Sequence, residues 1–251
     1  MLDFPDQRLV KLGRRPPHAG MIVPKLADFR RRALPPPPPT CKRSGIISEW
    51  GMHLNDAIGD CTIAAAANAI QTWTAANGAL WRVADAIVEA RYGQFGYRPG
   101  KPATDQGAVE TDVLGLWSRH GWDIGRQDED VTLWAALQPG NDADVREAIY
   151  HFGGVYVGLL LPDSAQNQPV WDVGSEPGTW GGHAVWVTDY DADGLACITW
   201  NTVQRMTWAF WKRYCEEAYA LLNRDWLNTS AISPEHLDFY GLRGALEAIA
   251  A

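Results

Sequence analysis

Asn55–Ala67 reads NDAIGDCTIAAAA, and the rest of the chain can be interpreted outward from it. Cys61 directly follows Gly59 and Asp60 and opens a run of alanines, the residue type that most favours helices. Asp60 is of a type that commonly caps a helix N-terminus. The stretch therefore predicts that Cys61 lies in the first turn of a buried helix. There the helix dipole and the free backbone N–H groups favour a thiolate over a thiol.

A second stretch, Trp180–Val187, places a histidine at the start of a predicted strand. It reads WGGHAVWV, so a Gly-Gly turn leads into the strand and His183 opens it. A cysteine and a histidine that are far apart in sequence, each at the edge of a regular element, are typical of a nucleophile and its base. Two simpler interpretations stay open: Cys61 as a small buried hydrophobic residue, and His183 as a histidine at a strand end.

The order of the predicted elements is helices first and an antiparallel sheet second. Helical patterns cover residues 61–74, 83–91, 109–120, 142–150 and 208–219, and strand patterns cover residues 154–161, 183–190 and 195–200. A turn at residues 191–194 joins the last two strands as a hairpin. This order predicts an α+β fold. The helix of Cys61 is expected to pack on the strand of His183, with the site in the groove between them.

Composition favours one soluble domain with appendages. The chain has 251 residues, of which 46% are hydrophobic and 13 are Trp, enough for a sizeable core. No apolar run reaches the length that spans a membrane, so no membrane partner is expected. Met1–Pro5 is acidic and interrupted by proline. We therefore expect no signal peptide, and synthesis in the cytoplasm.

The cysteine pattern argues against a metal site and against a disulfide framework. The four cysteines are Cys41, Cys61, Cys197 and Cys215, and no two of them form a CxxC pair. We expect no metal and no cofactor, so any chemistry has to come from the side chains of the chain itself.

Residues 1–43 look like a basic, proline-rich arm rather than a domain. They hold ten Lys/Arg and three Asp/Glu, a charge of +7, which leaves −15 for the remainder of a chain whose net charge is −8. Pro35–Pro39 is expected to form a polyproline II rod. The arm is interpreted as a disordered leader, as a wrap on its own acidic body, or as a docking arm for another subunit or a polyanion. Nucleic acid is the weaker partner, because no aromatic residues are interleaved with the basic ones.

Several local patterns resemble those of papain-like cysteine peptidases, in particular the bacterial and phage relatives. Asn55 lies six residues before Cys61, Gly182–Val185 reads GHAV, and Asp105–Gly107 resembles an Asp-x-Gly element of bacterial members. The resemblance covers roughly residues 44–230. It divides the chain into the arm at 1–43, a papain-like domain at 44–232 and a helical tail at 233–251. The whole chain, arm included, also resembles uncharacterised proteins of tailed phages and prophages.

The resemblance implies hydrolysis of a peptide or isopeptide bond in a peptide or protein substrate. Cys61 would form the acyl-enzyme and His183 would act as general base and acid. Asn55 would donate to the oxyanion beside the Cys61 backbone N–H, a type of contact worth about 3 kcal/mol of barrier. The residue that orients the histidine is an Asn in the family, but Ile198 falls at that position here. Asn201 by a shifted register, Thr199, or no residue at all then fills this role.

A different class of function fits the same features. A phage structural or interaction protein could keep the fold with a vestigial site, use the arm to contact other virion subunits, and be incorporated in the virion. The basic arm, the absence of the family Asn, and an acidic Asp60 beside the nucleophile all favour this alternative.

Overall fold

The computed structural model describes residues 10–21, 23, 35–125, 128–129, 131–230 and 232–237. Within these ranges the helices are α1 Cys61–Ala76, α2 Asp85–Tyr92, α3 Glu110–His120, α4 Asp142–Phe152 and α5 Trp208–Tyr214. The strands are β1 Arg14–Arg15, β2 Cys41–Lys42, β3 Ala108–Val109, β4 Trp122–Asp123, β5 Asp128–Glu129, β6 Val131–Ala136, β7 Val155–Leu161, β8 Val170–Trp171, β9 Gly181–Tyr190, β10 Gly194–Thr199, β11 Thr202–Thr207 and β12 Cys215–Asn223.

One large sheet organises the chain. Its strand order is β6-β12-β7-β9-β10-β11-β8, and β2 pairs separately with β9. The β11–β8 pair is parallel, and the other pairs of this sheet are antiparallel. In the centre, the register of β7 and β9 sets Leu159 opposite His183 and Gly158 opposite Ala184. Helices combined with a largely antiparallel sheet confirm the predicted α+β class.

Helix α1 packs on β9 because its small side chains allow a close approach. Every residue from Cys61 to Thr74 is buried. Trp186 of β9 meets Trp73 edge-on at 5.6 Å between ring centroids, and its Nε1 donates to Thr72 Oγ1 at 3.0 Å. The helix that starts at Cys61 is thereby fixed on the strand that contains His183.

The sheet is buried on both faces. In β7, Val155, Val157 and Leu159 point into a cluster with α4 and α5, whereas Tyr156 joins a second cluster with α1, α2 and α3. This two-sided burial explains why the middle of the sheet reads as a continuous apolar run rather than as an alternating pattern.

The sequence pattern did not reveal five strands of this sheet, β2, β6, β8, β11 and β12. We expected a helix to continue to Tyr219, but α5 ends at Tyr214 and the chain continues as β12. Residues Ala218–Asn223 of β12 are buried on both faces between β6 and β7. The sequence of β12 therefore lacks the alternation of apolar and polar residues that normally distinguishes a strand from a helix.

The described parts of the arm lie on the body of the same chain. Strand β1 pairs in parallel with β3, and β2 pairs with β9. The carbonyl of Pro38 accepts a hydrogen bond from Tyr190 Oη at 2.9 Å. The arm thus adds strands to the body on both sides of the segment that is not described.

The predicted helical tail lies mostly outside the described residues. Within the described part, Ser233–Leu237 forms a turn in which the His236 N–H donates to the Ser233 carbonyl at 2.9 Å. In the ranges that the structure describes, no helix has both the length and the apolar character needed to cross a membrane.

Candidate active site

The fold brings Cys61 and the His183 strand together. Cys61 is the first residue of α1, and its side chain is fully buried. Its Sγ accepts a hydrogen bond from the backbone N–H of Ala184 at 3.4 Å. Ala184 directly follows His183 on β9, so the two distant stretches of sequence meet where α1 begins.

His183 is held by a hydroxyl group and an indole ring. Its Nε2 lies 2.7 Å from Thr199 Oγ1, and Trp200 stacks on the imidazole at 4.3 Å between ring centroids. The His183 Nδ1 is buried and has no hydrogen-bond partner among the described residues. Burial, helped by the charge of Arg14, lowers the pKa of His183 to about 3. The ring is therefore neutral here, and one of its nitrogens is free to accept a proton.

The two candidate residues for orienting His183 are placed differently. Thr199 is buried and contacts the ring. Asn201 is exposed in the turn between β10 and β11, where Trp200 and Asn201 adopt left-handed φ values of 44° and 55°. This two-residue turn pairs Thr199 with Thr202, so the chain turns back before Asn201 can reach the imidazole.

Asn55 lies beside the nucleophile but is engaged in other contacts. Its buried amide nitrogen donates to Asp60 Oδ1 at 3.1 Å and to the Ile58 carbonyl at 3.3 Å, and it also reaches the Lys11 carbonyl at 3.5 Å. Lys11 belongs to the arm. One of the three acceptors of the Asn55 amide is thus the peptide carbonyl of Lys11, which lies in the cleft.

Asp60 does not cap α1 as expected. It occupies the cap position, but its φ and ψ of −97° and 16° are not extended and its side chain makes no capping hydrogen bond. One carboxylate oxygen accepts from Asn55, and the other has no partner among the described residues. Burial raises the pKa of Asp60 well above its usual value. The raised pKa favours the neutral form of this carboxyl group, which would not oppose a thiolate at Cys61.

The expected thiolate is also absent in this state. Burial raises the pKa of Cys61 to about 12, although backbone hydrogen bonds from Ala184 and Gly13 act in the opposite direction. Burial raises the pKa of this thiol by more than the helix N-terminus lowers it, because the charged form loses its hydration. The arm contributes to this burial, because the backbone of Gly13 reaches the Cys61 thiol.

Residues 11–15 of the arm, which we call the blocking segment, fill the cleft over Cys61. The N–H of Lys11 donates to the Asn55 carbonyl at 3.2 Å, and the carbonyl of Gly13 accepts from the Ala108 N–H at 2.9 Å. A Cβ on Gly13 would lie 1.7 Å from the Gly59 carbonyl oxygen, so only glycine fits there. The sequence reasoning missed this arrangement, since nothing local connects an arm residue to the nucleophile loop.

Two further glycines form the walls against the blocking segment. A Cβ on Gly107, whose φ is 70°, would lie 1.8 Å from the Gly13 carbonyl oxygen. A Cβ on Gly182 would lie 2.4 Å from the Arg14 carbonyl oxygen. The GHAV and Asp-x-Gly elements therefore supply the cleft walls that an extended chain can approach closely.

Asp105 ties the nucleophile loop to the wall at Gly107. Its Oδ1 accepts from the Gly59 N–H at 2.9 Å and from Tyr92 Oη at 2.7 Å. Tyr92 Oη in turn accepts from the Gly107 N–H at 2.8 Å. Within the described residues, no group of three or more His, Cys, Asp or Glu side chains could hold a metal ion.

Replacing Thr199 by Val is expected to lower the free energy of unfolding by about 1–3 kcal/mol, because it leaves the buried Nε2 of His183 without a partner. Thr199→Ser keeps the hydroxyl and is expected to lose less. Urea unfolding of both variants measures the difference. A Val variant as stable as the Ser variant would show that the hydrogen bond is unimportant.

His183 is expected to make stability fall in mild acid. Its pKa is about 3 in the folded chain, against about 6.5 in an unfolded one. Between these values the unfolded chain binds a proton that the folded chain does not, so stability decreases as the pH falls below 6.5. At pH 5 the loss is about 2 kcal/mol. Urea unfolding at pH 7 and pH 5 should show this loss in the parent and not in His183→Gln; equal losses would contradict it.

Comparison with solved structures places this fold among cysteine proteases. Xylellain, a cysteine protease from Xylella fastidiosa, matches over 85% of this chain and 96% of its own at 13% identity, with a TM-score of 0.61. Procathepsin L 3 from the larval midgut of Tenebrio molitor matches over 83% of this chain and 76% of its own at 13% identity, with a TM-score of 0.58.

The cysteine protease and lectin-like domains of Cwp84 from Clostridium difficile give a TM-score of 0.62 at 12% identity. That match covers 85% of this chain and 56% of the Cwp84 chain. No family model and no curated protein matches the sequence. The chain therefore has the papain-like fold.

Proposed function

We propose that this protein is a papain-like cysteine hydrolase that cleaves peptide or isopeptide bonds, and that its own blocking segment keeps it latent. The observation that carries the proposal is the state of His183. Its Nε2 is bound by Thr199, and its Nδ1 is left without a partner among the described residues, on the strand that contacts Cys61 Sγ. Nδ1 does not bond to Sγ in this blocked state, and catalysis requires the two atoms to come within hydrogen-bond reach once the cleft opens.

In this proposal, departure of the blocking segment lets water and substrate reach Cys61. The helix N-terminus then stabilises the thiolate once its burial is relieved. The thiol proton passes to His183 Nδ1, and Sγ attacks the carbonyl carbon of the substrate. The Cys61 backbone N–H and the Asn55 amide donate to the oxyanion that forms.

Collapse of the tetrahedral intermediate breaks the bond to the amine, which takes the proton from His183. Water then attacks the acyl-enzyme with His183 as base, and the acid product leaves. Thr199 keeps the imidazole in one orientation throughout, and Trp200 covers its face.

The second candidate is a phage virion protein that keeps this fold with an inactive site. The observation that favours it is the complete burial of a protonated Cys61 under the arm. In this alternative the arm contacts other virion subunits after synthesis in the cytoplasm.

Digestion of a peptide library by a variant with a displaced arm distinguishes the two candidates. Gly13→Ala forces the blocking segment away from Gly59, and Gly13→Ala/Cys61→Ala is its matched control. Mass spectrometry of the products should show cleavage by the first protein and none by the second. Cleavage by neither, with Cys61 accessible, would favour the inactive virion protein; cleavage by both would point to a contaminant.

A further inference from the structure

Arg14 of the blocking segment is buried in an acidic pocket beside the nucleophile. Its side chain is 0% exposed and forms ion pairs with Glu216 and Glu217 through its two terminal nitrogens. Glu110, the first residue of α3, adds a third carboxyl group that attracts the same guanidinium. Three carboxyl groups therefore surround one cation that enters from the arm.

The pocket floor is Gly158. A Cβ at this position would lie 2.7 Å from Glu217 Cγ, 2.8 Å from Arg14 Cδ and 2.9 Å from Glu110 Oε1. The three groups therefore converge over a site that has room only because it is glycine. Gly158 pairs with Ala184, whose N–H donates to Cys61 Sγ. The pocket thus adjoins the reacting sulfur.

The acidic pocket is unfavourable for the stability of the folded chain unless a cation occupies it. Glu110 is 0% exposed, and neither of its carboxylate oxygens has a hydrogen-bond partner in the described part of the chain. Burial raises the pKa values of both Glu110 and Glu217 above their usual range. Buried carboxyl groups of this kind are unfavourable when their counter-ion is removed. A cation that replaces Arg14 in the cleft would restore this pairing.

Two of the three carboxyl groups of the pocket lie beside an open groove. Glu216 and Glu217 also line an open groove of about 460 Å³ together with Pro17, Met21 and Tyr219. A guanidinium fits two carboxylates better than an ammonium does, because its planar N–H groups can bond both at once.

We propose that Glu110, Glu216 and Glu217 over Gly158 form a substrate side-chain site that selects arginine within two residues of the bond that is cleaved. This inference rests on the proposed function, and it adds the substrate class. In the latent state Arg14 occupies the place of the substrate arginine. The competing possibility is that the pocket only anchors the arm.

The first test measures binding without catalysis. The Arg14→Ala variant of the full chain empties the pocket of its guanidinium, and the probe is agmatine, a small guanidinium compound. Agmatine should raise the melting temperature of Arg14→Ala but not that of the parent, whose pocket is occupied. Its affinity should fall about tenfold or more in Arg14→Ala/Glu217→Gln. If Arg14→Ala does not fold, Arg14→Gln takes its place. No agmatine effect in a folded variant would overturn the proposal.

The second test uses peptidyl chloromethyl ketones that carry arginine, or its neutral isostere citrulline, at both the first and the second residue from the reactive carbon. In Gly13→Ala, the arginine probe should inactivate Cys61 about tenfold faster than the citrulline probe. The ratio of the arginine rate to the citrulline rate should fall toward one in Gly13→Ala/Glu217→Gln, which neutralises one carboxylate of the pocket. It should also fall toward one in Gly13→Ala/Gly158→Ala, which fills the pocket. Equal inactivation rates for the two probes in Gly13→Ala would overturn the proposed arginine site but not the proposed hydrolase function. Labelling of Cys61 by neither probe would instead overturn the proposed function on which the pocket depends.

Discussion

Gly13→Ala is expected to raise the rate of Cys61 alkylation by iodoacetamide at pH 8 by about 10- to 100-fold. In the parent, Cys61 is fully buried and reacts only when the blocking segment opens locally. A methyl group on Gly13 meets the backbone of Gly59 at 1.7 Å, and backbone cannot move aside easily. Overpacking of this kind costs about 1–3 kcal/mol. Because 1.4 kcal/mol is about a factor of ten, the open state becomes that much more populated.

The matched control is Gly45→Ala, since a Cβ at Gly45 meets nothing within 4 Å. Its Cys61 should react as slowly as that of the parent. The buried Cys41 and Cys197 report on global unfolding in the same sample. If Gly13→Ala exposes all three cysteines together, or leaves Cys61 as slow as in the parent, the blocking role of residues 11–15 is wrong.

Replacing His183 is expected to cause the largest change in the alkylation rate of Cys61 once the cleft is open. At pH 6, a thiol with the ordinary pKa of about 8.5 is only about 0.3% ionised. A thiolate paired with an imidazolium is ionised almost completely at that pH. Alkylation of Cys61 at pH 6 should therefore be up to about 300-fold slower in Gly13→Ala/His183→Ala than in Gly13→Ala.

The pH profile is what distinguishes this effect from a change in packing. In Gly13→Ala the alkylation rate should already be high at pH 6, whereas in the double variant it should rise only as the pH approaches 8.5. His120→Ala in the same background removes an exposed histidine at the end of α3 and should change neither profile. A Gly13→Ala profile that rises only near pH 8.5, with or without His183, would mean that the two residues do not form a pair.

The packing of the Cys61 helix on the strand of His183 could be predicted because the signal for each element is local. An Asp-Cys step into an alanine run and a Gly-Gly-His step into an apolar run each define the start of an element. The choice of Thr199 over Asn201 could not be predicted in the same way. It depends on a turn made by Trp200 and Asn201 in left-handed conformation, and Trp200, unlike Asn201, is not a typical turn former.

The arm illustrates a different limit. Its basic charge is evident from composition, but the partner of Arg14 is formed by Glu110 and Glu217, about 100 and 200 residues away. Glu217 lies on β12, which the sequence pattern did not distinguish from a helix because it is buried on both faces. A contact between two such segments becomes visible only when the sheet register is known.

The most direct test of cysteine catalysis by this protein is to look for the acyl-enzyme itself. Gly13→Ala is mixed with an activated peptide ester, quenched in acid at increasing times and digested, and the acyl group is located by mass spectrometry. An acyl group is expected on Cys61 that decays after the ester is exhausted and is absent in Gly13→Ala/His183→Ala. An accessible Cys61 that stays unmodified, or an adduct that forms and persists equally without His183, would contradict this expectation.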